Sequence, residues 1–164
     1  MDNSGDGFGD LDEDAAMDDI PVLLPPELTP PLTTDDDLHR QWRAIMGRPR
    51  QSHRTAWFML LHTDGRPTGV ISQVTDLAHH PESEVVRNLI ELFDNLLGGI
   101  DPGGSAAVLM TRPGWAAPHA GDLAWATDFA DEARTRGVNL RTTFLATDEG
   151  VTPLRPARGV SDAA

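Results

Sequence analysis

Met110-Thr111-Arg112-Pro113-Gly114-Trp115-Ala116-Ala117-Pro118-His119-Ala120-Gly121-Asp122 joins an apolar run to an amphipathic one, and the reading of that junction decides the fold. Upstream, Ser105–Thr111 is a short, nearly continuous apolar stretch behind Pro102-Gly103-Gly104, which predicts a central buried strand. Downstream, Leu123, Trp125, Ala126, Phe129 and Ala133 recur at helical spacing across 121–136, and Gly137 supplies the C-terminal stop. Two prolines and Gly114 keep the junction out of both elements.

Working outward, Ala56–His62 reads as a buried strand, Asp64-Gly65 as a turn, and Thr68–Val74 as the returning arm of a hairpin. Pro81–Leu97 carries Val85, Val86, Leu89, Ile90, Phe93, Leu96 and Leu97 on one helical face, with Gly98-Gly99 expected to end it. Val138–Ala146 reads as a strand, Asp148-Glu149-Gly150 as a turn and Val151–Leu154 as a short last strand. Before the hairpin, Thr34 precedes three aspartates as the N-cap of a helix whose apolar face is Leu38, Trp42, Ile45 and Met46, stopping at Gly47. Trp42, Trp57 and Trp125 fall on apolar faces and are expected in the core. The order hairpin–helix–strand–loop–helix–strand–strand predicts an α/β (α+β) domain with a central mixed sheet flanked by helices.

Charge is unevenly placed along the 164 residues. Residues 1–39 hold 12 acids and no Lys or Arg, while 40–164 hold 14 acids and 13 arginines, so the formal −13 belongs almost wholly to the leader. General nucleic-acid binding, which needs a basic footprint, is disfavoured. The chain has no cysteine, which excludes disulfides, thiolate metal sites and a cysteine nucleophile. No apolar run approaches the ~18–20 residues of a membrane span, and the acidic N-terminus is no signal peptide. These features predict a cytoplasmic protein.

The organisation follows the composition. Residues 1–19 read as a disordered acidic tail and 20–33 as a proline-rich arm. Residues 34–155 form one globular domain, and 156–164 fray. The leucines of the arm predict packing on the body or on a partner, the intramolecular contact costing less ordering entropy. The group Arg40, Arg43, Arg48, Arg50 and Arg54 either pairs internally or receives the acidic tail. A last strand at the sheet edge near 151–154 leaves room for a homodimer.

The junction resembles the metal-site loop of the JAB/MPN metallopeptidase fold, particularly its RadC-like branch, and the order of elements over about 57–154 is similar. That family's motif runs His-x-His-Pro, six residues, then Ser-x-x-Asp, with two histidines and the aspartate on zinc. Here Met110 and Arg112 stand at the histidine positions, Pro113 is kept, the spacer is five residues, His119 replaces the serine and Asp122 remains. No glutamate lies between Trp57 and Pro81, where the resemblance would place the general base. The resemblance thus implies a JAB-like or cytidine-deaminase-like fold with a degenerate metal site. Over 34–155 the chain also resembles an uncharacterised protein family of high-GC Gram-positive bacteria, through Asp36–Arg43, Thr111–Gly114 and Ala146–Val151. That second resemblance implies a compact body behind a variable acidic leader and supplies no activity.

Three functional readings follow. The first is a non-catalytic protein-interaction or regulatory module whose face comprises Arg112, Trp115 and His119, with no cofactor and the leader as a second contact. The second is a metal-dependent hydrolase with ligands moved to His119, Asp122 and one of His62, His79 or His80. The third is a small-anion site centred on Arg112, against which stands the simpler pairing of Arg112 with Asp122. Asp122 is also explained as a first-turn acid at the positive end of its helix. Ser52-His53 lacks the strand–elbow–helix setting of a nucleophile, and no phosphate-binding glycine loop occurs.

Overall fold

The computed structural model describes residues 20–47 and 53–155. The acidic tail 1–19, the segment 156–164 and the loop with Arg48, Arg50 and Ser52 lie outside the described residues, and with them the docking of the tail on the arginine group.

Thr34 caps α1 (Asp35–Met46) by accepting from the Asp37 N–H, while the Asp37 carboxylate accepts from the Thr34 N–H, a reciprocal capping box. The hairpin β1 (Thr55–Leu61) and β2 (Pro67–Val74) is followed by α2 (Ser83–Ile100) and β3 (Ser105–Thr111). After α3 (Ala120–Arg136) come β4 (Thr143–Thr147) and β5 (Gly150–Leu154). The strands form one five-stranded mixed sheet, ordered β2-β1-β3-β4-β5, in which only β3 and β4 are parallel neighbours. The expected central mixed sheet flanked by helices is therefore present.

Both helical crossovers, β2 to β3 over β1 and β3 to β4, step in the same direction across the sheet. Two crossovers of one hand must then lie on one face. Accordingly α2 and α3 share a core with Phe58, Leu60, Val108, Met110 and Leu145. The opposite face, carrying Met59, Leu61, Leu109 and Phe144, packs on Leu38 and Trp42 of α1 and on Leu32 of the arm. The arm is joined to the body by the Leu32 N–H on the Gly65 carbonyl and by Arg141 Nη1 on the Leu32 carbonyl at 2.7 Å.

Several expectations need correction. Helix α2 runs through Gly98 and Gly99 to Ile100, because both glycines face open space and the Asp101 N–H continues the ladder to Leu97. The strand expected over 138–146 is confined to Thr143–Thr147, since Asn139 and Arg141 meet β3 through a single bridge around Leu140. Trp57 is only partly buried at the margin of the α1-side core. Strand β5 is an edge, but Pro153 interrupts its donors and His39 of α1 bonds the Val151 carbonyl at 2.7 Å. No helix among the described residues is long and apolar enough to cross a membrane.

Candidate functional site

The junction loop leaves the C-terminal end of β3 with its first side chain turned inward. Arg112 is 3 % exposed, and all three nitrogens of its guanidinium donate hydrogen bonds within the protein. Nε donates to both Asp122 oxygens at 3.1 and 2.9 Å, and Nη2 approaches Oδ2 at 2.8 Å. Nη1 donates to the carbonyls of Pro113 and Trp115, and Nη2 to that of Ala117. One buried side chain thus gathers three carbonyls of the loop around itself. With its charge met by Asp122 and its side chain 4 % exposed, the guanidinium is turned away from any external anion.

Asp122, fully buried in the first turn of α3, is equally saturated. Besides Arg112 it accepts from Arg54 Nη1 at 2.6 Å and from the His119 N–H at 2.7 Å. Burial opposes ionisation of this carboxyl, but the His119 N–H and the two guanidinia outweigh it and hold the group below the usual carboxylate range. Arg54 reaches the site from the residue before β1, so two arginines from distant parts of the chain clamp one acid. The Arg112–Asp122 pairing was legible in the sequence, but the contribution of Arg54 was not.

Arg54 also donates through Nη2 to His79 Nδ1 at 3.1 Å. An arginine can only donate, so Nδ1 of His79 is unprotonated here. Partial desolvation, then the charge of Arg54 and the neighbouring His80 and His119, lower the His79 pKa from its ordinary value. The His79 ring lies 4.8 Å from that of His80 and 6.1 Å from that of His119, giving an exposed histidine cluster over the buried ion triad. Gly121 makes this approach feasible: a Cβ there would lie 2.2 Å from the His79 carbonyl oxygen.

His62 lies elsewhere, 3.2 Å from Asp101 at the other end of the sheet. Among the described residues no three His, Asp or Glu side chains are placed to share a metal ion. The set His119, Asp122 and an upstream histidine is not assembled, because both Asp122 oxygens face arginines.

Trp115 stands in contrast to Arg112 beneath it, at 78 % exposure. Its loop is anchored from the opposite side by the β4–β5 turn, where the Gly114 N–H donates to Asp148 Oδ2 and the Ala116 N–H to Glu149 Oε1. The sequence reads Asp148-Glu149-Gly150 as a turn and as part of a family resemblance, and gives neither acid a part in the site. His119 is exposed at the end of the same loop, as the N-cap of α3.

No family model matches this chain, and no curated protein matches it at a significant level.

Proposed function

We propose that this chain is a non-catalytic protein-interaction module that presents the 112–119 loop to a protein partner, on a JAB-like scaffold whose metal positions have been given over to structure. The observation that carries this reading is an exposed tryptophan on a loop whose backbone is bonded from both sides. Tryptophan is enriched among the residues that dominate binding energy, and a loop already held in shape loses little entropy on association. Trp115 and His119 supply the contact surface. Arg112 supports it from beneath, and the leader adds a second contact.

The positions of the former ligands fit the same reading. Met110 is buried in the core, and Arg112 and Asp122 neutralise each other. A carboxylate held by two guanidinia has no lone pairs to spare for a Lewis acid.

Partner capture with full-length bait and with Trp115→Ala tests the proposal, the variant losing the partner while keeping its fold. Trp42 and Trp125 are fully buried and Trp57 partly so, which makes emission at long wavelength report chiefly on Trp115. Partner binding should shift it to shorter wavelength. Elemental mass spectrometry of untagged protein supplies the opposing result: about one equivalent of zinc or iron, lost in His119→Ala, would overturn the non-catalytic reading.

A further inference from the structure

The two faces of the sheet are covered unequally. Five strands about 4.8 Å apart span roughly 20 Å, whereas one helix with its side chains is about 10 Å wide. Two helices cover one face, but α1 alone covers the other, and it lies over β1, β3, β4 and β5. The arm partly fills the remainder: Pro26 reaches over Gly69 at the start of β2. What is left is a trough of about 510 Å³ floored by Met59 and Ile71 and walled by Ile45 of α1 and by Leu23, Leu24 and Pro25 of the arm. No charged residue lines it.

Strand β2 is also the second edge of the sheet. Edge strands are ordinarily blunted by charge, proline or a bulge. Here Pro67, Gly69 at φ 93° and the register shift opposite Leu61 protect only the first half, and Val70–Val74 contains no charged residue. Ile71 is 44 % exposed on the trough side. Val22 at 81 % and Leu28 at 65 % expose further apolar surface on the arm outside the trough, more than a small molecule seated in the cavity would cover.

We propose that β2 and this trough accept an extended, basic segment of a partner protein, which adds as a sixth strand along Val70–Val74 and inserts alternate apolar side chains between the arm and α1. Main-chain bonds along the edge supply affinity, and the trough selects every second side chain. The basic character follows from charge complementarity. The arm is directly preceded by residues 1–19, with eight acids and no basic residue, and it carries Glu27 itself. A second copy would bring two such leaders together at like charge. The chain's own leader is poorly suited, because a strand drawn from it would place Asp10 and Asp12 on the face of Phe8, and Glu13 on that of Leu11. This surface is separate from Trp115 and does not depend on the reading given for it.

The test uses the full chain, isotope-labelled, titrated with an acetylated and amidated heptapeptide of alternating arginine and valine. Expected are saturable shifts of the Val70–Val74 amides and of the Ile45, Met59 and Ile71 methyl groups, with slowed hydrogen exchange along β2. Replacing arginine by glutamate in the peptide should weaken binding at least tenfold, and Ile71→Arg should abolish it while the β1–β3 amides keep their positions. Trp115→Ala should leave it unchanged, which separates this surface from the loop. Absence of shifts up to about 1 mM peptide, or shifts confined elsewhere, would overturn the proposal. So would a concentration-dependent dimer dissolved by Ile71→Arg. A spin label on Asn3→Cys that broadens the Ile71 methyl in free protein, and is not displaced by peptide, would assign the trough to the leader instead.

Discussion

Arg112 and Asp122 lie ten positions apart in the chain, and the guanidinium meets the carboxylate through Nε at 2.9 Å and Nη2 at 2.8 Å with both side chains sealed from solvent. Removing one partner of such a pair leaves a buried charge without compensation, at a cost of about 3–5 kcal/mol. Arg112→Met should therefore lower stability by about that amount in urea unfolding, since it also releases the carbonyls of Pro113, Trp115 and Ala117. Arg112→Lys should recover little, because an ammonium cannot reproduce the fork. A wild-type midpoint in the lysine variant would refute this account of the loop.

Trp115→Ala should change global stability by no more than about 0.5 kcal/mol, as expected of an exposed side chain away from caps and ion pairs. On the proposed reading its effect belongs to binding. A large shift in the urea midpoint would mean that the indole packs on the loop rather than facing a partner.

Gly121→Ala should destabilise, against the usual gain of about 0.5–1 kcal/mol from replacing a helical glycine. The added methyl would meet the His79 carbonyl oxygen at 2.2 Å, and main chain cannot move aside as a flexible side chain can. A cost of about 1–3 kcal/mol is expected, with the 78–80 segment displaced from α3 in amide spectra.

Asp101 sets an acid dependence at the opposite end of the sheet. Its carboxylate accepts from the N–H and hydroxyl of Thr63, from His62 and from the Gly103 N–H, tying the hairpin turn to the end of α2. The Thr63 N–H and hydroxyl, with His62 and the Gly103 N–H, outweigh the effect of burial and bring its pKa down to about 2. A depressed carboxyl contributes stability in full above its unfolded value and loses it as pH falls through the folded one. The contribution should therefore be complete above about pH 4 and fade towards pH 2. Thermal unfolding of Asp101→Asn should show a lower Tm than wild type at pH 6 and a shrinking difference below pH 4. A constant difference across that range would contradict the assignment.

How far the sequence announces this structure depends on whether a signal is local. Ser105–Thr111 is a strand as expected, because an apolar run between glycine-rich punctuation leaves few alternatives. The N-cap of α1 and the left-handed Gly137 after α3 were equally legible, each being complete within a few residues. Gly98-Gly99 misled because a glycine pair weakens a helix without forbidding it, and α2 had enough buried surface to continue. At the candidate site, Arg112 and Asp122 could be paired by inspection. Nothing in the chain marks Arg54, 68 residues from Asp122, or the acids of the β4–β5 turn as its neighbours. The exposure of Trp115 has no local signal, since a tryptophan beside a glycine can cover a cleft or stand clear of it.

The bonds that Arg112 makes to its own loop all end on main-chain oxygens. The shape of 113–117 is thus held through its backbone, by one buried side chain beneath and by the two acids of the β4–β5 turn, while the outward side chains make none of these bonds. A loop built this way can exchange what it displays without relearning how to fold. Substitutions at Trp115, Ala116 and Ala117 should therefore change what the loop displays while leaving the body unaltered.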